Sequence, residues 1–457
     1  MDRPNILLIV LDSARADRFS CYGYEKPTTP NIDRIASEGT LFEQCWGESN
    51  WTLPVSYSLM TGLATREHGS ESYRELPDGL PTLPRALEGG DWHTILCSAN
   101  AFMGTATGMH EAFDEFEMAS YEHPLLKPLL KYLFLRMAWA DKGGADINRK
   151  LLRHLATTDD PWLAVLWNDE PHHPWVGPGE FAGKFVERPI SLRRRWDILG
   201  RARRLQEFGT TGSERDLEDL NALYDGCVGY ADHLVGRLRE RLEAMGRWDD
   251  TLVIITADHG DMLGERGLTG HGRPAGMYRQ LIRLPLVAHG PGFPTGERSG
   301  ATVQLTDITQ TVGEITGALD GLADTAAARV DLRDAAVGAG REYAICERIA
   351  WPEERLQRAQ KANPSFDFSA MVGEVRSCFR DGWHLVDMAT GPTELFDTAS
   401  DPHETRDLIE QEPDLAKELL DILDDWRLRA QPHPATEGLV ERDDPKVEAR
   451  LRGMGYF

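Results

Sequence analysis

Several stretches of the chain stay apolar for the length of a strand and then stop at a polar group. "NILLIVLD" ends at Asp12, "HTILCSAN" at Asn100, and "TLVIITADHG" at Asp258 and His259, while "WLAVLWNDEPHHP" runs into Asn168, Glu170, His172 and His173. Unbroken apolar runs, as opposed to alternation, are what strands buried on both faces require. Helical periodicities fall between them, among them "TTPNIDRIASEGTLF" and "ADHLVGRLRERLEAMG". This alternation predicts an α/β fold with a large, mostly parallel, doubly wound sheet flanked by helices. Ligands of such sheets sit beyond the carboxyl ends of the strands, where these polar residues gather.

The last third has a different rhythm. "EVRSCFRDGWHLVDM" and "TELFDTASDPHETRDL" read as short antiparallel strands joined by turns, and "EPDLAKELLDILDDWRLRA" as an amphipathic helix. The expected division is a catalytic α/β domain over 1–339, a small C-terminal antiparallel α+β subdomain over 340–430, and a polar tail over 431–457.

One helix entry carries a question. In "SNWTLPVSYSLMTGLATREHG", residues 49–69, Thr52 stands at the mouth of a helix with Pro54 just inside and Gly62 as its stop. A Thr there serves as an ordinary cap. The same helix terminus favours negative charge, so a hydroxyl held beside a divalent cation would also lose its proton readily.

Composition narrows the partners. The 457 residues carry a formal net charge of -24, which makes nucleic acid an unsuitable partner and reads as a solvated acidic surface. Mean hydropathy is -0.42, and no apolar run approaches the roughly 18 residues of a membrane span. The N-terminal run ends in Asp12 and lacks a small-residue cleavage site, so it reads as a strand and not a signal peptide. Six scattered cysteines, Cys21, Cys45, Cys97, Cys227, Cys346 and Cys378, form no CxxC pair, and a reduced cytoplasmic location is the expectation. Two basic segments stand out in this acidic chain. "HPLLKPLLKYLFLRMAWADKGG" holds Lys127, Lys131, Arg136 and Lys142, and "SLRRRWDILGRARRLQ" holds Arg193, Arg194, Arg195, Arg201, Arg203 and Arg204. They read as amphipathic cover helices paired to the protein's own acids, with a hood over the site or contact with a membrane surface as the other readings.

An acid ending one strand and an Asp-His pair ending a distant one can meet in space. Asp12, Asp258 and His259 offer hard oxygens plus one imidazole, a set suited to Mn²⁺, Zn²⁺ or Mg²⁺, whereas an all-oxygen cage would suit Ca²⁺. The pattern alone leaves a metal site and a strand-end turn or helix cap equally open.

The order of the motifs adds a resemblance. "PNILLIVLDSARADRFSCYGYEKPTTPNIDRIASEGTLFEQCW" with "WTLPVSYSLMTGLATREHG" resembles the N-terminal signature of the sulfatase family in the alkaline phosphatase superfamily. "TLVIITADHGDMLGERGLTGHG" with "LIRLPLVAHGPG" resembles its second signature, and "LFDTASDPHETRDL" its C-terminal strand and turn. The resemblance implies one divalent metal ion held by Asp12, Thr52, Asp258 and His259, with Thr52 at the nucleophile position. It also implies His172 (in "EPHHPW") and His271 (in "GLTGHG") as acids for the leaving group, and it leaves His173 and Asp232 structural. Asn100 and Arg15 are the implied substrate contacts, although Arg15 has Asp17 as an alternative partner.

The sequence also departs from the family. Ser13 stands where the family pairs a second acid with Asp12, so one carboxylate ligand is missing. Ser56 replaces the Arg of the Cys/Ser-x-Pro-x-Arg motif and Thr52 its first residue, so no formylglycine is expected. Asn100 stands where many members carry Lys, a loss that weighs most against a doubly charged ester. Family members with Thr as nucleophile act on phosphoryl groups, so the expected activity is hydrolysis of an anionic ester, phosphodiester or phosphonate ahead of sulfate. The expected partner is a small anionic ester or glycan. A transferase passing a phosphorylated head group to a sugar or glycan, and a non-catalytic binding protein, are the alternatives.

Overall fold

The computed structural model describes residues 3–70, 75–119, 141–158, 161–199, 213–271, 276–349, 357 and 373–436. Residues 437–457 of the expected tail lie outside these. So do Lys127, Lys131 and Arg136 of the first basic segment and Arg201, Arg203 and Arg204 of the second.

Each apolar run forms the strand it predicts. In chain order the strands are β1 (Asn5–Leu11), β2 (Thr40–Trp46), β3 (His93–Ser98), β4 (Glu115–Met118), β5 (Trp162–Asn168), β6 (Thr251–Thr256), β7 (Met262–Leu263), β8 (Thr269–Gly270), β9 (Arg283–Leu284), β10 (Leu286–His289) and β11 (Glu297–Gln304). A nine-stranded sheet has the order β11-β2-β10-β6-β1-β5-β3-β4, with β9 paired to β2. β1 runs parallel to both β5 and β6, and β3 parallel to β5 and β4. β9 and β10 are its antiparallel members.

Ile6–Leu11 and all of β5 and β6 are buried, so both faces of the central strands are covered. Helices α1 (Pro30–Ser37), α3 (Gly144–Leu155) and α4 (Glu214–Ala244) pack together, and α2 (Thr52–Thr61) packs on α5 (Thr306–Thr316). A strand apolar on both faces has no alternation to fix its register. Its end fixes it instead: Leu11 lies opposite Asn168, and the Asp12 N–H donates to the Asn168 carbonyl at 2.9 Å. The sheet therefore sets Asp12 level with the ends of β3, β5 and β6.

The second sheet is the antiparallel meander β12 (Ala344–Arg348), β13 (Val375–Arg380), β14 (Trp383–Met388) and β15 (Thr393–Asp397). Helix α6 (Pro413–Arg429) lays Leu419, Leu423 and Trp426 against Cys378, Leu385 and Leu395 of one face. Its other face joins the large sheet, where the Trp46 ring stacks on Phe379 at 4.2 Å within a cluster that includes Met262, Tyr278 and Leu281. Of the basic segments, Arg194 pairs with Asp216 and Asp219, as a cover helix tied to the protein's own acids would. Lys142 is buried. Among the described residues no helix is long and apolar enough to cross a membrane, and the six cysteines are free thiols.

Candidate active site

The strand ends converge. Asp12 follows β1, Asn100 follows β3, His172 lies in the loop after β5, and Asp258 and His259 follow β6. Asp12, Asn100, Asp258, His259 and Thr52 are all at most 2% exposed. The side chains of His172 and His271 keep 12% and 11%, which places these two at the mouth of the cluster.

Backbone geometry aims the carboxylates. The turn after β1 puts Ser13 at φ 64, in the left-handed region, and clamps it by its carbonyl to the Tyr224 hydroxyl at 2.7 Å. From there the Ser13 N–H donates to Asp258 Oδ1 at 3.0 Å, and the His259 N–H donates to the same oxygen at 2.9 Å. Asp258 Oδ2 is left buried with no hydrogen-bond donor, 3.3 Å from His259 Nε2. On Asp12, Oδ2 accepts from the Asn100 amide at 2.6 Å and Oδ1 from the Ser13 hydroxyl at 3.1 Å. The turn after β6 needs its glycine, since a Cβ on Gly260 would lie 2.1 Å from the Gln280 carbonyl oxygen.

Thr52 does not cap its helix. Trp51 is the residue before the first turn, and Thr52 is the first residue of α2. Its Oγ1 points across the cluster to His259 Nε2 at 3.1 Å. His259 Nδ1 faces the Gly260 carbonyl at 2.9 Å. A carbonyl only accepts, so Nδ1 carries the proton and Nε2 offers its lone pair to the Thr52 hydroxyl. Gly62 ends the helix as expected, at φ 72, with its N–H on the Ser58 carbonyl. Ser56, at the family's Arg position, is buried and donates to the Leu53 carbonyl at 2.7 Å.

The charges form a strained set as side chains alone. Burial raises Asp12, but the imidazoles of His172, His259 and His271 and the Asn100 amide outweigh it and hold the carboxyl below the usual range. Burial, and then the neighbouring Asp12 carboxylate, push Asp258 well above it. Burial, reinforced by His271, lowers His259 to about 3, which keeps this imidazole neutral. Two converging carboxylates, one with an oxygen lacking any donor, beside a neutral imidazole lone pair, form a group whose ligand atoms are close enough and of the right kind to hold a divalent cation.

Two sequence-level assignments change. Arg15 is buried and spent on structure: its guanidinium donates to both Asp17 oxygens, to Glu265 Oε1 and to the Asp261 carbonyl. The Asp17 alternative is the one realised, and Arg15 is withdrawn as a substrate contact. Asn100 stands in the cluster with its amide donating to Asp12, while its Oδ1 accepts the Phe102 N–H at 2.8 Å, so it orients a carboxylate. His173 packs edge-on against Trp175, and Asp232 accepts the N–H groups of Asn31 and Ile32 at the start of α1, as structural residues would.

The sequence reading missed Asp261 and Trp175. Asp261 is wholly buried, with Oδ1 2.6 Å from His271 Nδ1 and Oδ2 accepting from the Trp175 indole at 2.9 Å. The available signal was position: Asp261 is two residues past His259, and Trp175 closes "EPHHPW".

The family model described as Sulfatase matches residues 4–318. The chain belongs to the sulfatase family. It is 25% identical over 489 residues to the uncharacterized sulfatase YidJ of Escherichia coli (strain K12), covering 100% of this chain and 93% of that protein. It is 24% identical to the choline-sulfatase of Rhizobium meliloti (strain 1021), covering 89% of this chain and 83% of that protein. Among solved structures, the phosphonate monoester hydrolase of Agrobacterium radiobacter superposes with a TM-score of 0.70 at 21% identity, covering 93% of this chain and 96% of that one. This sulfatase-family chain is thus a hydrolase acting on ester bonds, in a superfamily whose members use a divalent metal. The Asp12, Asp258 and His259 donor set fits such an ion.

Proposed function

We propose that Thr52 is the nucleophile of a two-step hydrolysis of a singly charged ester, a phosphodiester or phosphonate monoester ahead of a sulfate ester. The observation that carries this is the Thr52 hydroxyl, 3.1 Å from the His259 Nε2 lone pair at the Asp12 and Asp258 donor set. A divalent cation held by Asp12, Asp258 and His259 would favour loss of the Thr52 proton and neutralise ester oxygens. The chain's own residues supply the rest. The Thr52 proton passes to solvent, Oγ1 forms a bond to phosphorus, the bond to the alcohol oxygen breaks, and an imidazole at the mouth of the site protonates that oxygen. Water then attacks phosphorus and gives a proton to that imidazole, the bond from phosphorus to Thr52 Oγ1 breaks, and the freed Oγ1 takes its proton back from solvent.

Charge weighs against phosphate monoesters alone, since phosphodiesters, phosphonate monoesters and sulfate esters each carry one negative charge. The nearby Arg15 guanidinium is already taken up by Asp17 and Glu265. Among the described residues no fixed guanidinium or ammonium is committed to the site, which suits one negative charge better than two. A plain Thr ester also lacks the hemiacetal route by which a formylglycine sheds sulfate, which favours attack at phosphorus. The sulfate reading draws on relatives named as sulfatases.

Wild type and Thr52→Ala, both metal-loaded, would be compared on aryl phosphodiesters, phosphonate monoesters, phosphate monoesters and sulfates. The expected result is a fall in kcat/KM of about 1,000-fold or more in the variant, with metal content kept. A phosphoryl adduct on Thr52 should be seen by mass spectrometry after rapid quench. A Thr52→Ala enzyme of near wild-type rate would refute the nucleophile, and a wild type much faster on aryl sulfates would reverse the substrate order.

A further inference from the structure

The cluster offers two histidines at its mouth and two overlapping groups of metal donors, and the geometry separates their tasks. His259, Asp261 and His271 lie close enough to form a second cation site that shares His259 with the first. Two contacts argue against that use. His259 has one lone pair, because its Nδ1 proton is committed to the Gly260 carbonyl, and that lone pair faces Thr52, Asp258 and Asp12. His271 Nδ1 and Asp261 Oδ1 stand at 2.6 Å, the distance of a charge-assisted hydrogen bond and shorter than the about 3 Å between neighbouring ligand atoms around one ion.

We infer that Asp261, itself fixed by the Trp175 indole, is the positioning residue that makes His271, and not His172, the proton carrier for the ester's alcohol oxygen. This rests on the two-step ester hydrolysis proposed above. All three imidazoles are anchored through Nδ1, so each turns Nε2 away from its anchor. The anchors differ. His172 Nδ1 donates to the His173 carbonyl at 2.9 Å and His259 Nδ1 to that of Gly260. The Asp261 carboxylate meets His271 Nδ1 at hydrogen-bond distance, 2.6 Å, where it steadies the ring while it carries a positive charge, whereas the Asp169 carboxylate stands 3.9 Å from His172 Nδ1, whose proton is on the His173 carbonyl. Trp175 is wholly buried, and its Nε1 holds the second Asp261 oxygen at 2.9 Å, so the carboxylate cannot rotate out of the imidazole plane without losing a donor. In the first step the His271 Nε2–H proton goes to the departing alkoxide as the phosphorus–oxygen bond breaks. In the second step Nε2 takes a proton from the attacking water, and the balance is restored.

Asp261→Asn tests the arrangement with little change of shape. An Asn presents one acceptor and one NH2 group to two N–H donors, so it satisfies Trp175 or His271 but not both. On the metal-loaded enzyme the variant should lose about 100-fold in kcat/KM for alkyl esters, whose alcohols need a proton, with KM nearly unchanged. For 4-nitrophenyl esters, whose leaving group needs none, the loss should stay within about 5-fold. His271→Ala should show the same split, and the double variant should add little to either. Trp175→Phe, which removes only the indole N–H, should show a smaller split in the same direction and serves if Asp261→Asn folds poorly. Long-range ¹H–¹⁵N spectra of histidine-labelled, Zn²⁺-loaded protein read the same contact without turnover: the His271 Nδ1–H signal should move in Asp261→Asn while those of His172 and His259 stay.

Equal losses for alkyl and nitrophenyl esters would overturn the inference, as would the leaving-group split appearing in His172→Ala in place of His271→Ala. Two bound Zn²⁺ per chain, falling to one in Asp261→Asn, would assign the trio to a second cation instead. If wild type hydrolysed no ester, the proposed activity would fall by itself, and an unmoved His271 signal would still separately defeat the Asp261 contact.

Discussion

The loop that delivers Thr52 to the site contains a buried acid that should make folding stability depend on pH. Glu48 lies between the end of β2 and the start of α2 and is 3% exposed. Its Oε1 accepts the Thr306 N–H at 2.9 Å, while Oε2 is buried with no partner. Arg341 is near but committed to Asp307. Burial is the largest influence and raises Glu48 from 4.5 to about 7, with Asp307 adding to it. The folded state therefore binds a proton that the unfolded chain releases near 4.5. The native state loses stability as pH rises from about 4.5 through 7, and above 7 it carries the whole cost. A rise of about 2.5 pH units corresponds to about 3 kcal/mol. Glu48→Gln keeps the shape of the protonated acid and removes the titration. At pH 8 it should stabilise by up to about 3 kcal/mol, and at pH 4.5 by close to nothing. Unfolding entropy for a chain of this length is near 1 kcal/mol per kelvin, so Tm should rise by about 3 °C at pH 8. The assay is scanning calorimetry of both proteins at several pH values, in which titrations elsewhere cancel in the difference. A Tm difference that does not change with pH, or a variant less stable at pH 8, would refute the reasoning.

The brace and the donor set give two further tests. Arg15→Met should lower Tm, because Asp17 and Glu265 lose the guanidinium that holds both below the usual carboxylate range, at a cost of about 1–2 kcal/mol since both acids keep contact with water. KM should move less than about 3-fold, and a large rise in KM with Tm unchanged would return Arg15 to the substrate. Asp258→Asn should weaken Zn²⁺ or Mn²⁺ binding by about 100-fold or more in titration calorimetry with the circular dichroism spectrum unchanged, since it removes the charge of the carboxylate whose Oδ2 lacks a donor. Wild-type affinity in this variant would place the ion elsewhere.

What could be read from the chain follows from where the information lies. Asp12, Asn100 and Asp258 were legible because each ends an apolar run, and a run buried on both faces has one place for a polar residue, beyond its carboxyl end. The antiparallel β10 inside the large sheet was not, because "LPLVAH" is as apolar as its parallel neighbours and strand direction leaves no mark on composition. The place of Thr52 was half legible: the helix boundary could be read to within a residue, but not the side-chain direction, which takes the hydroxyl to His259 and not onto the N–H groups of its own helix.

Arg15 and Asp261 show the harder limit. Both sit within three residues of a predicted ligand, one cationic and one acidic, and sequence proximity rates the cation as the better partner for an anionic substrate. The fold inverts this. The turn after β1 directs Arg15 onto Asp17 and Glu265, whereas the turn after Gly260 brings Asp261 back against His271, ten residues further on. Neither direction is a property of the residue. Each is set by how tightly the chain turns once its strand has ended: Ser13 in the left-handed region on one side, and on the other a glycine pressed so close to the Gln280 carbonyl that no side chain fits. The donor groups of the cluster are therefore placed by the strand ends, and the neighbours each group meets by the two turns that follow them.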